Sequence, residues 1–152
     1  MPKTPSNSSD LAQFISQLQT DYPNFIFKQG SRFVFRPPHT ISFEKPQNSP
    51  YPPANFALLA LHELAHALLG HQDYHTHIER LKMESAAWQR AKTLALHYQK
   101  IFSWLHWDED FAETELDSYR DWLHTKSLCK NCGLTRFQTP DGKYHCPQCD
   151  II

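Results

Sequence analysis

The sequence lacks an apolar run of the roughly 20 residues that cross a bilayer, and its polar first ten residues contain nothing that resembles a signal peptide. We therefore expect a cytoplasmic protein without a membrane partner. A strong net charge is also missing, because fifteen Lys and Arg face sixteen Asp and Glu. This balance excludes the broad positive field that non-specific nucleic-acid binding requires.

The 152 residues have room for one compact domain and a small appended module, since independent domains need on the order of 100 residues. A hydrophobic content of 40% and an aromatic content of 13% indicate a real core. We expect three segments: a flexible N-terminus over residues 1–8, a main domain over residues 9–125, and a separate module over residues 126–152.

The order of the hydrophobic patterns predicts a main domain of the α+β class. Apolar residues at helical spacing predict a short helix from Ser9. Runs rich in aromatic residues at positions 25–27, 33–35 and 41–43 predict a meander of two or three strands, because turn signals separate them. The prolines between residues 46 and 53 cannot continue a strand ladder and predict a linker.

Three helices are predicted after this linker. The first runs from Ala54 to Gly70 and is apolar almost all round, which is typical of a buried helix. Thr76 and Glu79 have the spacing of a capping box, which opens a second helix that should reach about residue 100. A third helix fits residues 109–124.

The motif His62-Glu63-Leu64-Ala65-His66 lies inside the apolar helix. Residues four apart share one helix face, so both imidazoles can reach a single Zn²⁺, and Glu63, turned by about 100°, stands beside the metal without binding it. Zinc lowers the pKa of bound water from roughly 15.7 towards about 7, and an adjacent carboxylate can take the proton. Peptide hydrolysis is the reaction that such a site suits best. The alternative is a pair of core histidines satisfied by hydrogen bonds.

A hydrolytic zinc needs a third protein ligand if its fourth position is to stay open for water. Glu84 is the candidate in the next helix, because the small Ala87 and Ala91 share its face and would let the two helices approach closely. One alternative is that Glu84 faces solvent and pairs with Arg80. In the other, the ligand belongs to the residues that follow the motif helix: His71, Asp73, His75 or His77.

Cysteine is absent before residue 129 and then occurs in two Cys-x-x-Cys pairs, thirteen residues apart. The four residues are Cys129, Cys132, Cys146 and Cys149. A reducing compartment disfavours disulfides, and four thiolates at this spacing can close a tetrahedron around a second, structural zinc. A turn signal at residues 140–142 joins the pairs, so we predict a zinc ribbon over residues 126–152 whose folding depends on the metal.

This four-cysteine module (residues 126–152) carries four basic and two acidic side chains, a net charge of +2. The charge permits weak nucleic-acid contact, and direct nucleic-acid binding is expected only through this module. The dense acids of residues 108–121 are typical of a solvated helix face, although they could instead attract a basic protein partner. If the histidine site is structural, the chain would be a non-catalytic regulatory module that binds protein or nucleic acid.

The histidine motif on a buried helix, followed by a helix with Glu-x-x-Ala, resembles the ImmA/IrrE type of zinc metallopeptidase within the gluzincin group. The resemblance spans roughly residues 33–100. It implies a zincin-like α+β fold with a small sheet, in which His62, His66 and Glu84 hold the catalytic zinc and Glu63 is the catalytic base. It also implies an intracellular protein substrate, because better-known members act on, or are genetically tied to, helix-turn-helix repressors.

Two features depart from this family's pattern. Trp88 stands where zincins of this kind often carry Asp or Asn, so hydrogen-bond support for a ligand histidine is in question. Typical members also lack a four-cysteine module. SprT-like proteases combine an HExxH domain with a zinc ribbon and are the second family that the sequence resembles, but their third ligand belongs to a His-Gly-x-x-aromatic pattern that is absent here. The metzincin pattern is excluded, since Leu69 and Gln72 replace its Gly and His.

Overall fold

Four helices and two small sheets form the described part of the chain, residues 8–150 of the computed structural model. The predicted flexible N-terminus, residues 1–8, lies outside it except for Ser8. The helices are α1 (Ser9–Asp21), α2 (Pro53–Leu68), α3 (His77–Tyr98) and α4 (Glu109–Ser127), and the strands are β1 (Ile26–Gly30), β2 (Val34–Arg36), β3 (Thr40–Glu44), β4 (Phe137–Gln138) and β5 (Tyr144–His145). The prediction of an α+β fold is confirmed. Among these residues, no helix is both long enough and apolar enough to cross a bilayer.

The described residues form two compact units, each discontinuous in sequence. The first contains residues 8–71 and 87–109, and the second contains residues 72–86 and 110–150. Helix α3 is unbroken, and its first ten residues belong to the second unit. The expected domain boundary at residue 126 stays a prediction.

The three strands of the first unit form a mixed sheet with the order β1-β3-β2. Strand β1 pairs parallel to β3, and β2 pairs antiparallel to β3. The predicted meander, in which each strand pairs with the next, is therefore wrong. The physical reason is burial: Ile41, Ser42 and Phe43 of β3 are buried, whereas four of the five residues of β1 are exposed. The most buried strand takes the centre, where both of its edges find partners.

Helix α2 runs through the core of the first unit. Twelve of its sixteen residues are buried, as its apolar sequence predicts. Helix α1 contributes Leu11, Phe14 and Leu18 to this core. The Phe14 ring packs edge-on against the rings of Tyr98 and Phe102, with centroids 5.9 and 5.6 Å apart. These aromatic contacts tie α1 to the end of α3.

Helix α2 begins and ends close to where the sequence predicts. Pro53 lies in its first turn, where a missing N–H costs no helical hydrogen bond. Gly70 has a φ of +66° and reverses the chain. The Gly70 N–H donates to the Ala67 carbonyl at 3.1 Å, and the His71 N–H donates to the His66 carbonyl at 3.0 Å. This pair of bonds is a Schellman motif, which brings His71 back beside His66.

A capping box opens α3, as predicted. The Glu79 N–H donates to Thr76 Oγ1 at 3.2 Å, and Glu79 Oε2 accepts hydrogen bonds from the N–H groups of His75 and Thr76 at 2.8 and 3.3 Å. The helix ends at Tyr98 rather than near residue 100, and α4 extends to Ser127 rather than residue 124. The difference at α3 is ordinary, because helix ends fray and are assigned to within one or two residues, whereas α4 is three residues longer than predicted.

A short hairpin and a cation–π cluster organise the second unit. Strands β4 and β5 pair antiparallel, and Gly142, with a φ of +86°, closes the predicted turn between them. The Arg80 guanidinium of α3 lies 5.3, 5.1 and 5.0 Å from the centres of three rings, those of Tyr74, Tyr119 and Trp122. Cation–π attraction thus holds the start of α3 against α4.

Glu79→Gln is expected to destabilise the fold at neutral pH and to lose this effect in acid. Hydrogen bonds from the N–H groups of His75 and Thr76 lower the pKa of Glu79. A carboxylate with a lowered pKa stabilises the folded chain above the unfolded-state pKa of about 4.3, and the effect disappears as the pH falls through the folded-state pKa. Urea unfolding followed by circular dichroism, at neutral pH and at about pH 3, measures the difference in free energy of unfolding between wild type and variant.

Thr76→Ala is the matched control, because it removes the uncharged half of the capping box. Its loss in free energy of unfolding relative to wild type should be similar at both pH values, typically about 1 kcal/mol. If Glu79→Gln is destabilised in acid as much as at neutral pH, the role given to the Glu79 carboxylate is contradicted.

Candidate metal centres

Helix α2 places His62 and His66 one turn apart on the same face, and their Nε2 atoms are 3.1 Å apart. Both residues are buried, with 5% and 8% of their surfaces exposed. Burial removes the hydration of an imidazole, so each ring needs polar partners inside the protein. Two Nε2 atoms that converge in this way provide two of the donors that a metal site requires.

Glu84 supplies a third donor to this group. The ligand atoms of His62, His66 and Glu84 all lie within 4.8 Å of one another, and 7% of the Glu84 surface is exposed. The alternative in which Glu84 faces solvent is therefore wrong. Ala87 and Ala91, on the same face of α3, are completely buried. Their burial is what the sequence predicts for a helix face in close contact.

This group fits a small divalent cation. Zinc binds imidazole nitrogen at about 2.0–2.1 Å in tetrahedral geometry, which places two ligand atoms roughly 3.3 Å apart. The 3.1 Å between the Nε2 atoms is close to that value. Within residues 8–150 the group has three members, so a tetrahedral ion held by them would have one position left for water or substrate. The role of the three residues as ligands and the identity of the metal stay predictions.

Glu63 lies outside this group of donors and contacts the sheet instead. Its Oε2 atom accepts a hydrogen bond of 2.6 Å from the Phe35 N–H. Strand β2, which carries Phe35, is an edge strand, so this N–H is available to a side chain. The bond fixes one carboxylate oxygen of Glu63, an arrangement compatible with a base that stands beside a metal without binding it.

Two rings contact the histidines of the site in roles that the sequence did not predict, one of them the ring of His71, which was a candidate ligand. The Trp88 ring stacks on His62, with centroids 4.3 Å apart and planes 26° apart. The Nδ1 atoms of His66 and His71 are 2.8 Å apart. When Nε2 of His66 binds a metal, its Nδ1 carries the proton and can donate it to His71. His62 is thus packed against an aromatic face, and His66 has an imidazole as its hydrogen-bond partner.

The sequence contains a signal for only one of these contacts. A glycine that ends a helix in a Schellman motif brings the next residue against the last turn, so Gly70 indicates that His71 lies beside His66. The stacking of Trp88 and the hydrogen bond from Phe35 join segments far apart in sequence, and no spacing rule predicts them.

The other candidate ligands do not join the three-residue group. His71 contacts His66 through Nδ1, on the side of the ring away from His62. The His77 Nδ1 atom is 2.6 Å from the Tyr144 hydroxyl. Asp73 and His75 are exposed. Of the candidates named from the sequence, Glu84 is therefore the one that the fold brings to the two histidines.

The cysteines form a second group that fits a metal. The Sγ atoms of all four lie within 4.8 Å of one another, and none of the cysteines is in a disulfide. The Sγ–Sγ distance is 3.9 Å between Cys129 and Cys149 and 3.5 Å between Cys132 and Cys146. A tetrahedral zinc with bonds of about 2.3 Å places sulfurs roughly 3.8 Å apart. Zinc at this group also stays a prediction.

The electrostatics of the cysteines favour a cation between them. Backbone N–H groups of Cys132 and Asn131 donate to the Cys129 sulfur and lower its pKa to about 6. The pKa of Cys149 is raised to about 12, chiefly by its hydrogen bond with the Cys132 thiol. Sulfurs at these distances cannot all ionise, because like charges repel, and a bound divalent cation removes this obstacle.

No family model matches the chain, and neither a curated protein nor a solved structure matches it. The resemblance to ImmA/IrrE-type metallopeptidases therefore rests on the motif residues alone.

Glu84→Ala is expected to remove one metal ion per chain. Wild type should contain about two zinc ions and the variant, after mild chelation, about one, because one of three donors is lost. Elemental analysis of the purified proteins measures the zinc content. Glu113→Ala, which removes an exposed carboxylate of α4, is the control and should keep both ions. Full zinc retention in Glu84→Ala would exclude Glu84 as a ligand.

Proposed function

We propose that the chain is a zinc-dependent endopeptidase that hydrolyses peptide bonds of an intracellular protein, with a zincin-like main domain and a zinc ribbon over residues 126–152. One observation carries this proposal: two histidines and a glutamate converge in the interior. Glu63 follows the first of these histidines in the helix, and its carboxylate is anchored by the Phe35 N–H. Two histidines and one glutamate are among the ligand sets that hold catalytic zinc in peptidases.

In this proposal His62, His66 and Glu84 hold the ion and Glu63 is the base. Zinc bound there supplies Lewis-acid chemistry, which polarises a peptide carbonyl and makes a water molecule more acidic. Glu63 takes the water proton at Oε1, because Oε2 is held by the Phe35 N–H, and then passes the proton to the departing amine. The anchored carboxylate thus serves as base first and as acid afterwards.

The neighbouring rings keep the ligand histidines in place. Trp88 covers one face of His62, which limits rotation of the ring. His71 accepts the Nδ1 proton of His66, and an accepting partner makes the ligand ring more basic and fixes its orientation. A site held in this way is ready for its ion before the ion binds.

The four cysteines are assigned a structural zinc. Four thiolates complete a tetrahedral shell, so no position is left for water or substrate. About 25 residues cannot build a sufficient core, and metal binding would therefore supply most of the folding free energy of the module.

A basic protein fits the acidic surface of α4. Five acids of this helix are exposed: Glu109, Asp110, Glu113, Asp117 and Asp121. Arg120 offsets part of their charge through ion pairs of 2.9 and 2.7 Å with Glu113 and Asp117. A helix-turn-helix repressor, the substrate that the family resemblance implies, has a basic DNA-binding surface, and charge attraction would favour its encounter with α4.

A second candidate function is a non-catalytic regulatory module that binds protein or nucleic acid through its cysteine-containing part. The observation in its favour is the exposed Phe137 ring, which stacks on His145 with centroids 5.5 Å apart and adjoins Arg136 in sequence. Arg136 is half-buried, with its guanidinium 4.5 Å from the centre of the Tyr144 ring. An exposed aromatic ring beside a basic side chain suits nucleic-acid contact. This alternative gives Glu63 no role.

Glu63→Gln is expected to keep both zinc ions and to lower the rate of substrate cleavage by at least about 100-fold, the usual contribution of a general base. The rate is measured from the fragments of a coexpressed helix-turn-helix repressor and, with purified protein, of an unfolded protein substrate. Elemental analysis of the same samples verifies the zinc content.

Glu44→Gln is the matched control, since it makes the same chemical change at the end of β3, and it should cleave like wild type. Equal cleavage by Glu63→Gln would remove Glu63 as the base. A zinc-loaded wild type that cleaves neither substrate, but binds nucleic acid in a Phe137-dependent manner, would establish the second candidate.

A further inference from the structure

The four-cysteine module contacts α3 at the first residue of the helix. Gln138 Oε1 accepts a hydrogen bond of 2.7 Å from the His77 N–H, and Gln138 Nε2 donates to the Gly142 carbonyl at 2.7 Å. The first N–H groups of a helix have no acceptor within the helix. A side chain of the module therefore completes the cap that Thr76 and Glu79 begin.

A second set of contacts holds the His77 side chain and the loop before it. The His77 Nδ1 atom is 2.6 Å from the Tyr144 hydroxyl, and its ring meets the Trp122 ring at a centroid distance of 4.5 Å. Gly142 lies so close to the His75 carbonyl that a Cβ atom would be 2.9 Å from the oxygen. Polar bonds and close backbone packing thus both join the module to the start of α3.

Glu84 lies on the same part of α3. It follows His77 by seven residues, which is two helical turns further along the same face. Between these two residues, Arg80 is held over the rings of Tyr119 and Trp122. All of these residues belong to the second unit, as the module does. What fixes the start of α3 within that unit therefore also fixes Glu84.

The module depends on its cysteines for its own structure. Its strands β4 and β5 have two residues each, and among its described residues only Cys129 and Cys146 are buried. So small a core does not fold without a metal or a cross-link. Gln138 and Tyr144 lie in these two strands, so their positions depend on the state of the four cysteines.

We propose that the four-cysteine module positions the third ligand of the histidine site. Metal binding at the cysteines orders Gln138 and Tyr144, these two residues fix the start of α3, and α3 places Glu84 at its metal site. The inference rests on the metal site of the proposed function. Gln138 and Tyr144 are then positioning residues, and loss of metal from the cysteines weakens metal binding at the histidine site.

Cobalt(II) tests this coupling in the full chain, because the two sites differ in spectrum. Thiolate ligands give intense charge-transfer bands that report the four cysteines, whereas two histidines and a glutamate give only weak visible bands. The double variant Gln138→Ala/Tyr144→Phe removes both polar contacts and keeps every cysteine. We expect unchanged cobalt affinity at the cysteines and at least about 10-fold lower affinity at the histidine site, as for other residues that support metal ligands.

Three further variants calibrate the measurement. Lys143→Ala is the matched control, because this exposed side chain belongs to the same hairpin and makes a 3.9 Å ion pair with Asp141; it should bind cobalt like wild type at both sites. Glu84→Ala sets the affinity that remains when the third ligand is lost. Cys146→Ala, which disables the cysteine site itself, should weaken the histidine site at least as much as the double variant does.

The outcomes separate this inference from the proposed function. Wild-type affinity at the histidine site of the double variant, together with weakened binding in Glu84→Ala, would overturn the coupling and leave the proposed function intact. Equal losses of cobalt affinity at both sites of the double variant would also overturn the coupling, since Gln138 and Tyr144 would then support the module as a whole. If wild type binds cobalt only at its cysteines, both the coupling and the proposed function are refuted.

Discussion

The desolvation of two imidazoles and one carboxylate is the constraint on which the rest of the structure depends. His62, His66 and Glu84 lie among buried apolar residues of α2 and α3, where an alanine or a leucine would pack without losing hydration. A divalent cation bound between them would offset this cost, because it would neutralise the carboxylate and take the lone pairs of the rings. The three side chains thus form a group that a bound cation would stabilise.

Features that depend on spacing along a single helix could be predicted from the sequence. The pairing of His62 with His66 follows from the helical period, and the capping box and the end of α2 at Gly70 follow from the residue types that helix ends require. Glu84 was predictable because small residues share its face. The same rules also place His71 against His66, because the glycine that ends the helix turns the next residue back onto its last turn.

Contacts between distant segments could not be predicted in this way. Each of the three strand segments of the first unit contains aromatic and β-branched residues, so the pattern favoured pairing between neighbours in sequence. The observed order depends instead on which strand is buried most, and burial is a property of the whole fold. The stacking of Trp88 on His62 and the bond from Phe35 to Glu63 have the same origin, because each joins residues that only the folded chain brings together.

The two donor sets would give the same cation opposite properties. Two neutral imidazoles and a carboxylate leave a divalent ion with net positive charge, which polarises a carbonyl, whereas four thiolates leave net negative charge and no open position. A hydrolytic site must also hold each ligand to within about 0.5 Å. Two ligands on α2 would meet this demand through the apolar core around them. Glu84 lies in the first half of α3, and the first residue of this helix, His77, is held by a module with almost no core of its own. A closed metal site is a direct way to make such a module rigid enough to place a ligand of an open one.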